Sequence, residues 1–215
     1  MRGNRIYKID RNGKKRRVFW VFGLKIRFKG KNSTVILHEP CVRFRHCVAR
    51  LGDDCRIEFQ SSNTKLKYME LDASPLNNSI DIGHNLLPGP NTSIRANREP
   101  GLHIKLGDNC LFGPGSKIAA SDGHAIYDIN TGEVLNRSKD IVVGNHVWMT
   151  TGITIFKGVE IADNTVIASN SVVTKSCLIP NAIYGGTPAR LLKENINWNY
   201  DYPTDGDKFD VSQNI

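Results

Sequence analysis

From Val143 onward the chain places an apolar residue at every sixth position: Val143, Met149, Ile155, Ile161, Ile167, Val173 and Ile179. Four positions after each comes a residue that is small or β-branched: Val147, Ile153, Val159, Thr165, Ser171, Cys177 and Ile183. An amphipathic helix repeats near 3.6 and a half-buried strand every 2, so neither produces this pattern. A period of six predicts short flat strands joined by turns, with the large residue facing inward and Gly, Asn and Asp at the corners. Three hexads close one triangular turn of a parallel β-helix, whose interior is buried only when coils stack. The expected fold class is an all-β solenoid. Leucine-rich, propeller and collagen-like repeats have other periods and are excluded.

The same period runs earlier through Leu106, Phe112 and Ile118, with Cys110, Ser116 and Asp122 at the secondary positions, and "LGDDCR" from Leu51 is an isolated copy. Residues 34–105 are β-rich with uneven spacing and read as irregular first coils carrying loops such as "LLPGPN". Between Ile118 and Val143 the interval is 25 residues, not a multiple of six, so the segment at about 120–142 is an excursion from the coil. Within it "IYDINTGEV" reads as a hairpin with "NTG" at its tip. After Thr187 the hexads stop, and "PARLLKENINW" predicts a short helix from Pro188 that covers the open end of the solenoid. The expected organisation is a basic, strand-rich N-terminal cap over 1–33, a β-helix over 34–187, and a C-terminal helix and tail over 188–215, the tail at the surface.

The formal net charge of +8 is local, because residues 1–31 hold twelve Arg or Lys and one Asp. Such a region suits a nucleic-acid arm, a membrane-surface patch, a collecting surface for a polyanionic substrate, or a solvated edge. Its turn-separated strands are not a recognition helix, and no nucleic-acid partner is expected. The longest apolar run, "VFWVFGL", is too short to span a bilayer and lacks a cleavage site, so a cytoplasmic location is expected, with peripheral membrane proximity through the basic region. Five cysteines form no CxxC pair, which excludes a zinc or disulfide framework; Cys55, Cys110 and Cys177 read as core residues. His103, His124 and His146 are 21 and 22 residues apart where a shared column needs about 18, and no metal site is expected.

The [Ile/Val/Leu]-Gly-x-x-small-x units, the histidine-bearing loop "SDGHAIYD" and the ending "YGGTPARLL" resemble the hexapeptide-repeat acyltransferase family, in particular its CoA-dependent O-acetyltransferases of sugars and surface polysaccharides. The resemblance is tight over 104–193 and weaker before. Size and the basic N-terminal region are also similar to capsular polysialic acid O-acetyltransferases. The resemblance implies a left-handed parallel β-helix, a homotrimer, acetyl-CoA lying in the cleft between neighbouring prisms, an acidic polysaccharide or oligosaccharide acceptor, and a loop histidine reaching into that cleft.

O-acetyl transfer needs a base for the acceptor hydroxyl, and histidine suits that task at neutral pH. His124, in a Gly-flanked loop, is the candidate base. Asp122 either orients its ring, fills an inward position or caps the turn. His146, at a hexad turn, is the competing histidine and is expected to be solvated. Trp148 either lines the active site and the pantetheine arm or packs between subunits. The resemblance carries cofactor contacts onto Thr151, Ser169, Lys175 and Arg190, with Lys193 adjoining, the basic residues matching the CoA phosphates. Gly152 permits tight coil geometry. The chain departs from many relatives at "WMTTG" in place of "WIG" and "GGTPA" in place of "GNPA". Cys110 and Cys177 face inward, so transfer is expected to be direct. Rival readings are an N-acetyltransferase of an amino-sugar or small amine, a family member acting on an amino acid or antibiotic, and a non-catalytic β-helix scaffold.

Overall fold

The computed structural model describes residues 3–201. The chain visits three faces in rotation, so that each sheet takes every third strand and each strand pairs in parallel with its counterpart one coil away. The first face runs from Arg5–Ile9 and Thr34–His38 to Ile141–Val143 and Glu160–Ile161. The second includes Leu111–Phe112, Trp148–Met149, Val166–Ile167 and Ile183–Gly186; the third includes Lys117–Ala119, Thr154–Phe156 and Val172–Val173. This is the three-sided coil that the hexads demand. Among the described residues there is no helix, and therefore none long and apolar enough to cross a membrane.

The period of six maps onto burial. Val143, Met149, Ile155, Ile161, Ile167 and Val173 are buried, as are Leu106, Phe112 and Ile118. Parallel pairing stacks them in columns, Phe112 on Met149 on Ile167 and Ile118 on Ile155 on Val173. Burying each such side chain contributes roughly 1.5–3 kcal/mol. The secondary positions turn the corners inside the core. There the hydroxyls of Ser116 and Thr92 each donate to a carbonyl three residues back, Gly113 and Gly89, at 2.8 Å, so burial leaves no orphan donor.

Corners are made by left-handed residues. Asn85, Asn109, His146, Asn164 and Asn181 occupy one corner, all with positive φ, and Asn85 donates to Asn109 at 3.0 Å. At the next corner Gly115 and Gly152 take φ of 73° and 71°, a conformation that costs glycine nothing. Gly152 thus has the geometric role expected of it.

Three expectations are corrected. The helix from Pro188 is absent: Ala189–Lys193 is a strand running antiparallel to Ile183–Gly186. After the last coil that strand has an unpaired edge, and pairing it satisfies backbone groups that a single helical turn would leave open. Ile179 and Ile183 do not continue the inward pattern. The final coil is shortened, with Cys177 pairing with Ile161 and Tyr184 with Ile167, so these two take the inward places and Ile179 is 40% exposed. Asp122 does not fill an inward position either, because the chain has already left the coil at Ala120, which is buried.

The N-terminal region is built of strands and lies at the outer end of the stack. Arg5–Ile9 and Leu24–Phe28 nevertheless pair in parallel with Thr34–His38 and Cys47–Asp53, so they form the first coil itself, while Lys15–Val18 folds back antiparallel on Arg5–Ile9. The tail beyond residue 201 lies outside the described residues.

Candidate active site

The excursion leaves at the corner between the third and first faces. Its neck is closed by the Lys139 N–H donating to the Ala120 carbonyl at 3.1 Å, and the coil resumes with Ile141 beside Ile104. Beyond the neck the chain forms the expected hairpin. Tyr127 pairs with Val134, and the Asp128 carboxylate accepts from the N–H groups of Asn130 and Thr131, fixing the tip.

His124 sits between neck and hairpin, exposed. Its carbonyl accepts from Asn136 Nδ2 at 2.9 Å, which fixes the backbone, and the imidazole has no hydrogen-bond partner among the described residues. Asn136 is the fastener of the loop. The same Nδ2 donates to Asp122 Oδ2 at 2.9 Å, and its Oδ1 accepts from the Ile126 N–H at 2.7 Å. Asp122 makes no bond to the His124 ring; its carboxylate receives Lys157 Nζ, and the bonds from Lys157 and then Asn136 hold its carboxyl below the usual range. Of the roles considered for Asp122, anchoring the loop turn is the one its contacts serve. Lys157 also donates to the Asn136 carbonyl at 2.7 Å, tying both ends of the loop to the next coil.

The neck encloses a cavity of about 280 Å³, lined by Asp122, His124, Asn136 and Ser138 from the loop and by Arg98 and Glu99 from the preceding corner. Glu99 accepts from the N–H and hydroxyl of Ser138 at 3.0 and 3.1 Å, and these bonds, the backbone one first, lower its carboxyl pKa. Lys157, Asn136, Arg98 and Glu99 were not signalled by any motif. Lys157 stands one coil before Lys175 at the same corner, so counting back 18 residues from Lys175 finds it; the others occupy insertions that have no period to read.

The remaining candidates fall elsewhere. Trp148 is half-buried on the second face, opposite the corner that carries the loop. Thr151 and Ser169 lie one coil apart in register at the corner after that face, both exposed. The Ser169 hydroxyl donates to Thr150 at 3.0 Å, while the Thr151 hydroxyl has no partner among the described residues. Arg190 is exposed on the terminal strand of the second face and donates only to the Ala189 carbonyl among the described residues. Lys175 is exposed at the corner of the loop, two coils on. One chain therefore carries two separated groups: His124 with Lys175, and Trp148 with Thr151, Ser169 and Arg190.

His146 is not solvated. Trp198 stacks on its ring at 4.1 Å and donates from Nε1 to its carbonyl at 2.8 Å, so a C-terminal strap buries it. The ring's Nδ1 lies 3.0 Å from Asn164 Oδ1. His146 is a member of the corner column. Trp198 continues over Trp148, centroids 5.7 Å apart. Cys110 and Cys177 are buried, and desolvation pushes their thiols up to about 12 and about 11.

No protein-family model matches the chain. It is 34% identical over 187 residues to a polysialic acid O-acetyltransferase of Neisseria meningitidis, a match covering 83% of this chain and 74% of the relative. A galactoside O-acetyltransferase of Escherichia coli is 33% identical over 118 residues, 54% of each chain. Among solved structures, the polySia-specific acetyltransferase NeuO superposes with a TM-score of 0.79 at 25% identity, covering 99% of this chain and 90% of that one. The chain belongs to the hexapeptide-repeat O-acetyltransferases, in the group that contains the polysialic acid O-acetyltransferases.

Proposed function

We propose that this protein is a cytoplasmic enzyme of left-handed β-helical fold that transfers acetyl from acetyl-CoA directly to a hydroxyl of a carboxylated glycan, a sialic acid polymer by analogy with its relatives, with His124 as general base. The observation that carries this is the His124 imidazole, without a hydrogen-bond partner among the described residues, lining a cavity whose walls are fastened by Asn136 and Lys157. Fixing the backbone while freeing the ring is what a proton-transfer group requires.

Acetyl-CoA supplies the thioester carbonyl that the acceptor oxygen attacks. Trp148 offers an indole face, Thr151 and Ser169 offer hydroxyls, and Arg190 and Lys175 offer cations that have no ion-pair partner among the described residues and suit its phosphates. His124 takes the hydroxyl proton as the oxygen attacks and returns it to the departing thiol. A backbone N–H lining the cavity stabilises the developing oxyanion. The elevated thiol pKa values of Cys110 and Cys177 leave no thiolate for an acetyl-enzyme route.

Because the two groups of residues lie on different faces, a complete site needs the second face of one copy against the loop corner of another. A homotrimer supplies three such sites. Incubation with acetyl-CoA and oligosialic acid, galactosides and amino-sugars, followed by mass measurement, tests the assignment. O-acetylated sialic acid is the expected product; acetylation of amines alone would reject it.

A further inference from the structure

We propose that Arg98 recognises the acceptor's carboxylate beside His124. The inference rests on the acetyl-transfer reading above and specifies what holds its acceptor. Arg98 belongs to an insertion at the corner from which the loop departs. The coil containing it spaces Ser79 and His103 by 24 residues, after 22 and 23 in the two coils before it, against 18 between Val143 and Ile161. The core does not need the extra length, since the shorter coils close without it. The insertion is instead bonded to the loop: Asn97 Oδ1 accepts from the Ser121 hydroxyl at 3.1 Å, and Glu99 accepts from Ser138. Insertion and loop neck together make the cavity that Arg98 and His124 both line.

The charges of that cavity do not cancel. Its carboxylates are committed, Asp122 to Lys157 and Glu99 to Ser138 and, at 3.6 Å, to Arg137. Arg98 has no ion-pair partner among the described residues and is exposed. A free guanidinium in a concave site is a fork for a planar anion, and a carboxylate matches it in a bidentate manner. The backbone points the same way. Arg98 holds φ at +82°, whereas the other non-glycine residues with positive φ lie between 52° and 62° and are mostly Asn. A bulky residue at such an angle is strained, and glycine would serve the turn better. The side chain therefore has a use outside the turn, and the cavity beside His124 is where it is available.

Two anions of this reaction suit a guanidinium: the acceptor's carboxylate and a phosphate of the donor. Steady-state kinetics of wild type, Arg98→Ala and Arg98→Gly with acetyl-CoA and oligosialic acid, or the same oligomer with its carboxylates amidated, separate them. Arg98→Ala is expected to raise the acceptor KM by about tenfold, in line with the loss of a charge-assisted pair. The KM for acetyl-CoA and kcat should stay within about threefold, and the amidated oligomer should be equally poor for wild type and variant. An unchanged acceptor KM, with wild type active on oligosialic acid, overturns the role of Arg98 and leaves the proposed reaction standing. A raised acetyl-CoA KM assigns Arg98 to the donor and also overturns it. Wild type that acetylates galactosides but no carboxylated glycan removes both. Arg98→Gly, which relaxes the turn, must show the same acceptor defect with native thermal stability, which separates recognition from folding.

Discussion

Lys157 reaches across one coil to the Asp122 carboxylate, at the point where the His124 loop leaves the stack. The pair fastens a functional excursion to the regular coil beneath it, and its strength depends on an ionised Asp122. The folded-state pKa of Asp122 is depressed, so its stabilisation is fully present above the unfolded value, about 3.9, and is lost as pH falls through the lower folded value. Thermal unfolding of wild type and Asp122→Asn should therefore differ by a constant ~1 kcal/mol between pH 8 and 5 and converge below about pH 4. A difference that grows on acidification would contradict this pairing.

Replacing His124 with Ala should lower turnover by about 10²–10⁴-fold, the usual worth of a positioned general base. The residue is exposed, so its loss should shift stability by no more than about 0.5 kcal/mol, and CoA binding measured by calorimetry should persist. Near-normal turnover would dismiss His124 as the base.

The shortened last coil can be tested by paired truncations. Ile155→Ala opens a cavity in a stacked column and should cost about 2–5 kcal/mol in urea unfolding. Ile179→Ala, at the same hexad position but 40% exposed, should cost less than about 1 kcal/mol. Equal losses would restore Ile179 to the interior.

The basic first coil suggests long-range attraction of a polyanionic acceptor. Its exposed cations include Arg11, Lys14, Lys15, Arg17, Lys25 and Arg27, with Arg16 paired to Glu39 at 2.9 Å. Raising salt from 0.01 to 0.15 M shortens the screening length from about 30 to about 8 Å. The kcat/KM for oligosialic acid should fall several-fold over that range, and that for a galactoside should not. Parallel declines would exclude steering.

Relieving the strained turn should be visible in stability as well as kinetics. Arg98→Gly is expected to match or exceed wild type by up to about 1 kcal/mol in thermal unfolding, because the φ of +82° suits glycine. A marked loss would mean that the Arg98 side chain holds the corner together.

The coil was legible in the residues because each inward position needs a large apolar side chain and each corner a left-handed one, so the constraint repeats and can be counted. The excursion that carries His124 was legible by contrast, since it stands where the count fails. Ile179 misled because the final coil loses two residues between Val173 and Cys177 and regains one before Tyr184, and a shortened period looks regular until pairing is known. Ala189–Lys193 misled for a related reason: Leu and Arg favour helix intrinsically, but the open edge at Ile183–Gly186 offers pairing that outweighs so small a preference. His146 was misplaced because Trp198, 52 residues away in the chain, covers it, and no local pattern reports a contact of that range. Asn136 and Lys157 escaped notice because their roles exist only once the loop has closed.

Both ends of the parallel stack carry a strand of reversed polarity, Lys15–Val18 on the first face and Ala189–Lys193 on the second. A coil that repeats so faithfully is a template for its own extension, since any copy presenting the next parallel strand would find a matching edge. A reversed strand at each end denies that register on the face that carries it. The association proposed above runs instead along the flanks of the prism, where the loop corner of one copy would meet the tryptophan face of another.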